Sequence, residues 1–153
     1  MKLFNKVGLS LLGLSLVLVS ASQVFAQDEQ ALVAAQGYDV VSYQTEKAPL
    51  KGEGFYVAQH KGALYEFANE TNKALFVANP DKYVPAYNGY CAYGVAIGKK
   101  FVGNPQVYKV VDGKLYLNLS MGIRDTWSQD VPGYIEKAEQ NWSKIERKPA
   151  QDL

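Results

Sequence analysis

Cys91, His60 and Met121 are the residues with the most to offer chemistry. Each is the only one of its type beyond residue 26 of this chain of 153 residues. Together a thiolate, an imidazole and a thioether make the minimal ligand set for a soft metal ion such as copper. A structural zinc site, which needs four cysteine or histidine ligands, is excluded. Cys91 also reads as a redox nucleophile or mixed-disulfide partner, or as a buried thiol packing like a small hydrophobe. His60, beside Lys61-Gly62, reads equally as a solvated turn residue, and Met121 as core filler. Tyr87, Tyr90 and Tyr93 surround Cys91 in VPAYNGYCAYGVAIGKK (84–100). They would either line a pocket for a small organic ligand or form core. Asp39 is expected to anchor its own stretch through backbone N–H groups, and Asp112 to serve a turn. There is no paired carboxylate spacing, no Ser/His/Asp context, no phosphate-cradling glycine loop and no Cys-x-x-Cys pair. The sequence therefore offers no positive case for an enzyme.

The setting of that thiol is an exported chain. Lys2 and Lys6 precede an apolar run, Val7 to Val19, too short to span a bilayer. Val24 and Ala26 then fit a signal-peptidase site. Residues 1–26 are read as a signal peptide, giving a periplasmic or secreted protein with no stable membrane anchor after cleavage. Loss of Lys2 and Lys6 turns the formal charge from +1 to −1. Scattered charges near neutrality give no electrostatic case for nucleic acid.

Positioning falls to a small α+β domain. Residues 27–36 read as a lead-in, 37–146 as the domain and 147–153 as a loose tail. Phe55–Gln59 and Ala63–Ala68 flank His60-Lys61-Gly62 as one hairpin. Val107–Val111 and Lys114–Leu119 flank Asp112-Gly113, the dipeptide that favours a type I′ turn, as a second. On its second strand Leu115, Leu117 and Leu119 are expected to face the core, with Lys114, Tyr116 and Asn118 wet. Asn69 is placed as the N-cap of a helix running to Ala78, where Asn79-Pro80 stops it. That helix has Ala74, Leu75, Val77 and Ala78 around Phe76 and is expected to be mostly buried. After Pro85, the spacing of Tyr87, Cys91, Gly94, Val95 and Gly98 predicts a helix with Cys91 well inside it. An amphipathic C-terminal helix starts near Asp130, with Tyr134, Ile135, Ala138, Trp142 and Ile145 as its apolar stripe. No internal repeat is visible in the residues.

Three segments, GYDVVSY (37–43), KGALYEFANETNKALFVANPDKYVPAYNGYCAYGV (61–95) and VVDGKLYLN (110–118), resemble the YHS-domain family. More narrowly, they are similar to its exported single-domain bacterial members. Related modules occur in metal-handling proteins and are thought to bind metal through cysteines. One of these follows an Asp-Pro-Val stretch, and two more follow the aromatic strand at Cys-x-x-x-Cys spacing. Here those positions are Ser42, Ala68 and Asn72, which cannot replace thiolates for a soft metal. The resemblance thus implies a binding protein, with Cys91 as the one thiol left for copper. The alternatives are a non-metal protein-interaction or thiol-redox module, and an organic-ligand site between the tyrosines. The protein partner is undefined.

Overall fold

The computed structural model describes residues 32–153. The expected signal peptide, and the lead-in as far as residue 31, lie outside the described residues. Alternating apolar and polar residues build two hairpins, and the fold is α+β. In the first, β2 (Glu53–His60) runs antiparallel to β3 (Ala63–Phe67). A short β1 (Leu32–Val33) joins β3 in parallel, giving the order β1-β3-β2. In the second, β4 (Asn104–Val111) pairs with β5 (Lys114–Asn118) around Asp112-Gly113, both of positive φ as a type I′ turn needs. The helices are α1 (Ser42–Thr45), α2 (Glu70–Ala78), α3 (Pro80–Tyr83), α4 (Ala92–Ala96), α5 (Met121–Trp127) and α6 (Val131–Ile145). Capping follows the sequence. The Asn69 side chain accepts the Asn72 N–H at 2.8 Å, and Asp130 accepts the Gly133 N–H at 3.0 Å. The α6 stripe of Tyr134, Ile135, Ala138, Trp142 and Ile145 packs into one core cluster.

The chain is built twice from one unit. Each unit opens with a 3₁₀ turn, Ala34–Gly37 or Ala86–Gly89. Each turn holds two non-glycine residues in the left-handed region: Ala35 (φ 48°) and Gln36 (φ 52°), then Tyr87 (φ 55°) and Asn88 (φ 54°). A hairpin with an irregular register follows, then a capped helix, then a second helix. The last is entered through Asn79 (φ −154°, ψ 76°) or Asp130 (φ −149°, ψ 69°). Aromatic residues in or against the core match in the same order: Tyr65 with Tyr116, Phe76 with Trp127, and Tyr83 with the half-buried Tyr134. Two long-range bonds recur, Asp39 N–H to Leu50 and Gly52 N–H to Gly37 in the first unit, Cys91 N–H to Phe101 and Gly103 N–H to Gly89 in the second. The repeat is invisible in the residues because few identities survive; the backbone conformations and caps carry it. Between the units Tyr43 packs on Leu115 and Leu117, and its hydroxyl donates to the Pro105 carbonyl at 2.8 Å.

Four expectations are corrected. The segment after Pro85 is not one helix. Left-handed Tyr87 and Asn88 break it, Tyr90 and Cys91 are extended, and α4 begins only at Ala92. Cys91 is therefore the N-cap of α4, not an interior position. Helix α2 buries only Asn72 and Phe76, and its other apolar residues face out. Strand β5 has no wet face beyond Lys114, since Tyr116 lies under Trp127 and Asn118 is fully buried, while Leu119 is half-exposed. The tail is tied down, because the Lys100 ammonium donates to the Glu146 and Lys148 carbonyls at 2.7 and 2.6 Å.

Gly103 allows the second unit to close. A Cβ there would lie 2.6 Å from both the Gly89 carbonyl oxygen and the Leu117 Cβ. Its counterpart Gly52 meets the Glu66 backbone in the same way. Either glycine changed to alanine is expected to cost about 2 kcal/mol or more, since backbone and not a flexible side-chain tip must move. Urea unfolding of Gly52→Ala and Gly103→Ala, with Gly54→Ala in open space as control, checks this.

Candidate functional site

Each unit carries a buried polar centre at the same place, just after its 3₁₀ turn. In the first it is Asp39, which has no exposed surface. Its Oδ1 accepts the N–H groups of Val41 (2.9 Å) and Ser42 (3.3 Å). Its Oδ2 accepts the Ala68 N–H (2.9 Å) and the Asn72 side-chain amide (2.7 Å). The Ser42 hydroxyl donates to the Asp39 carbonyl at 2.6 Å and accepts the Leu50 N–H at 2.9 Å. Asp39 thus anchors its stretch as expected, and ties it to β3 and α2 as well. The three positions where the resemblance places cysteines, Ser42, Ala68 and Asn72, all converge on this carboxylate. A hydrogen-bonded network fills the place.

In the second unit Cys91 stands where Asp39 stands in the first, 1% exposed. Its sulfur accepts the Gly94 N–H at 3.4 Å, as Asp39 accepts that of Ser42. The thiol donates to Asn118 Oδ1 at 3.7 Å, and the same oxygen accepts the Tyr93 N–H at 3.4 Å. Asn118 Nδ2 has no partner among the described residues. Sequence reasoning missed Asn118, because alternation assigned it to solvent. The Phe101 ring lies over Gly94, a ring carbon 2.9 Å from where a Cβ there would stand.

The other candidates keep different company. His60 ends β2 and is only 20% exposed at its side chain. Its Nε2 lies 3.5 Å from Asp81 without hydrogen-bond geometry, and its ring meets Phe76 and Tyr65 edge-on. It belongs to the first unit, whereas Cys91 and Met121 belong to the second. Met121 opens α5 with half its surface exposed. Among the described residues no three or more His, Cys, Asp or Glu side chains gather as a metal site. Tyr87, Tyr90 and Tyr93 pack against α6. Tyr87 and Tyr90 meet Trp142 at 5.7 and 6.2 Å, and Tyr93 meets Tyr134 at 5.2 Å. An open cleft of about 430 Å³ lies elsewhere, lined by Tyr108, Lys109, Arg124, Asp125 and Ser128. There the Arg124 guanidinium is engaged with Asp125 at 3.2 Å.

No protein-family model, curated protein or solved structure matches the chain.

Two outcomes follow from these centres. Asp39→Ala leaves buried N–H donors unpaired, and Asp39→Asn turns an amide N–H₂ toward donors. Both are expected to cost about 3 kcal/mol, read by denaturant unfolding. The tyrosines give an alkaline limit. Burial, reinforced by Glu139, pushes the Tyr87 phenol well above its ordinary value. Burial likewise raises Tyr43, with smaller contributions from Tyr38 and Tyr108. The folded state then holds protons that the unfolded state releases. Their contribution is complete below about pH 10 and is lost as pH rises past it. Unfolding free energy should fall steeply above that pH, with a shallower fall in Tyr43→Phe and Tyr87→Phe.

Proposed function

We propose that the mature chain is an exported, YHS-type binding module that docks a protein partner on the surface around α4. In this reading Cys91 shapes that surface from beneath. One observation carries it. Ile97, Phe101, Val102, Leu119 and Met121 are each at least 45% exposed. The first unit has Thr45, Leu50, Lys51, Ala68 and Glu70 at the same places. The fold accepts polar residues at three of these five positions, so large apolar groups there answer to something other than folding. The residues are neighbours through the fold. Phe101 rests on Gly94, Cys91 donates its N–H to the Phe101 carbonyl, and α4 packs against β5 and α5. An aromatic ring and a methionine suit an adaptable protein contact. The thiol itself favours this reading over chemistry at sulfur, because it is buried and its hydrogen-bonding capacity is used.

The test exchanges the two units' residues. Ile97→Thr, Val102→Lys and Met121→Glu together should keep the melting temperature within a few degrees of wild type. A photo-crosslinker at Leu119 should trap a discrete partner in cells exporting the wild type, with at least tenfold less adduct in the triple variant. No adduct, or an equal one, overturns the docking reading. Thiol labelling adds a second arm: Cys91 should resist a maleimide until the chain is unfolded. Anaerobic loading with Cu(I) addresses the copper reading. One bound equivalent in the wild type and none in Cys91→Ser would replace docking by metal binding.

A further inference from the structure

Two buried donors of the second unit have no acceptor among the described residues. They are the side-chain amide nitrogen of Asn118, Nδ2, and the indole nitrogen of Trp127, Nε1. Both residues are 0% exposed. Folded proteins rarely leave such groups unpaired, because the lost hydration is then replaced by nothing. Strand geometry sets the two side by side. Tyr116 meets Trp127 at 5.6 Å, and Asn118 lies two residues further along β5 on the same face. The first unit shows the same neighbourhood with other residues. The counterparts there are Phe67 and Phe76, whose rings meet at 5.1 Å. Phenyl rings carry no donor, so the first unit needs no acceptor at this place. The second unit has put a donor into both members of the pair.

We infer that the seam between α4, β5 and α5 is a binding site for one internal water molecule, which accepts from Asn118 Nδ2 and Trp127 Nε1. Turning the amide over offers no escape, because its Oδ1 accepts the Tyr93 N–H at 3.4 Å and a donor would take its place. The chemistry of the pair selects the occupant. Two N–H groups offer no lone pair, so they cannot hold a metal cation. An anion would be buried beside two neutral donors without a counter-charge. The buried Lys100 ammonium is engaged by the Glu146 and Lys148 carbonyls. Water is neutral, small and able to accept both hydrogen bonds. The Cys91 sulfur, which accepts the Gly94 N–H, is an acceptor for one of its protons. Room on that side comes from Cys91 and Gly94, each smaller than Asp39 and Ser42 at the same places in the first unit. A bound water thus serves the second unit as the second carboxylate oxygen of Asp39 serves the first. The site lies beneath the α4 surface and stands whether or not a partner docks there.

A crystal structure of the mature protein, at a resolution that places ordered waters, tests the inference. One density peak, refining as a water oxygen, should lie within about 3.2 Å of both nitrogens. In solution, nuclear Overhauser spectra should show cross-peaks from water to the Trp127 indole proton and the Asn118 amide protons. Their sign should be that of a water residing longer than the tumbling time of the protein. Trp127→Phe, which takes the first unit's residue, should weaken the Asn118 cross-peak by at least about threefold, since a buried water needs two or more polar partners. Should that variant not fold, the wild-type density and cross-peaks decide alone. No peak, a peak reaching only one nitrogen, or side chains rearranged so that protein atoms accept from both donors overturns the inference. So does an undiminished Asn118 cross-peak in Trp127→Phe, or an anion at the peak, read by anomalous scattering after exchange into bromide.

Discussion

The Asp39 carboxylate holds the first unit together, and the rest of that unit is arranged around its needs. A carboxylate without solvent is tolerable only when its lone pairs are met. Here backbone N–H groups from the start of α1 and the end of β3, and the amide of Asn72 on α2, meet them. One side chain therefore fixes where the hairpin stops, how α2 sits over the sheet and where the chain turns into α1. Buried Tyr65, Phe67 and Phe76 pack around the geometry so defined.

The second unit solves the same problem with softer chemistry. Cys91 and Asn118 occupy the equivalent place with fewer and longer hydrogen bonds. More of the holding there falls to packing: Trp127, Tyr116 and the tyrosines against the long α6, which has no counterpart of equal length in the first unit. Duplication also leaves each unit as a control for the other. Residues that both need, such as the paired glycines at 52 and 103, report on the fold. Positions apolar in one and polar in the other report on contacts outside it.

Much of the local architecture was legible in the residues. Period-two alternation located both hairpins, Asp112-Gly113 typed one turn, and Asn69 and Asp130 marked helix starts through their side-chain oxygens. The stripe on α6 was equally clear. The break at Tyr87–Asn88 was not, since neither residue type demands a left-handed conformation and helical spacing continues across it by coincidence. Nor was the exposure of α2. A helix with Ala74, Leu75, Val77 and Ala78 around Phe76 reads as buried, and only the placement of neighbouring elements shows that no described residue covers its outer side. Asn118 was misassigned for the converse reason: alternation assumes one wet face, and β5 has core on both.

Taken alone, the sequence determined what depends on near neighbours in the chain: turns, caps, amphipathic stripes, and the absence of local patterns for several kinds of chemistry. It also left the chain a single cysteine, Cys91. The tertiary structure decided what depends on partners far along the chain. It gathered Ser42, Ala68 and Asn72 onto Asp39, set His60 against Tyr65 and Phe76, and buried the Cys91 thiol. It also revealed the duplication, because backbone conformation is held by steric and hydrogen-bond requirements that many different residues satisfy. Identity can drift while those requirements stay.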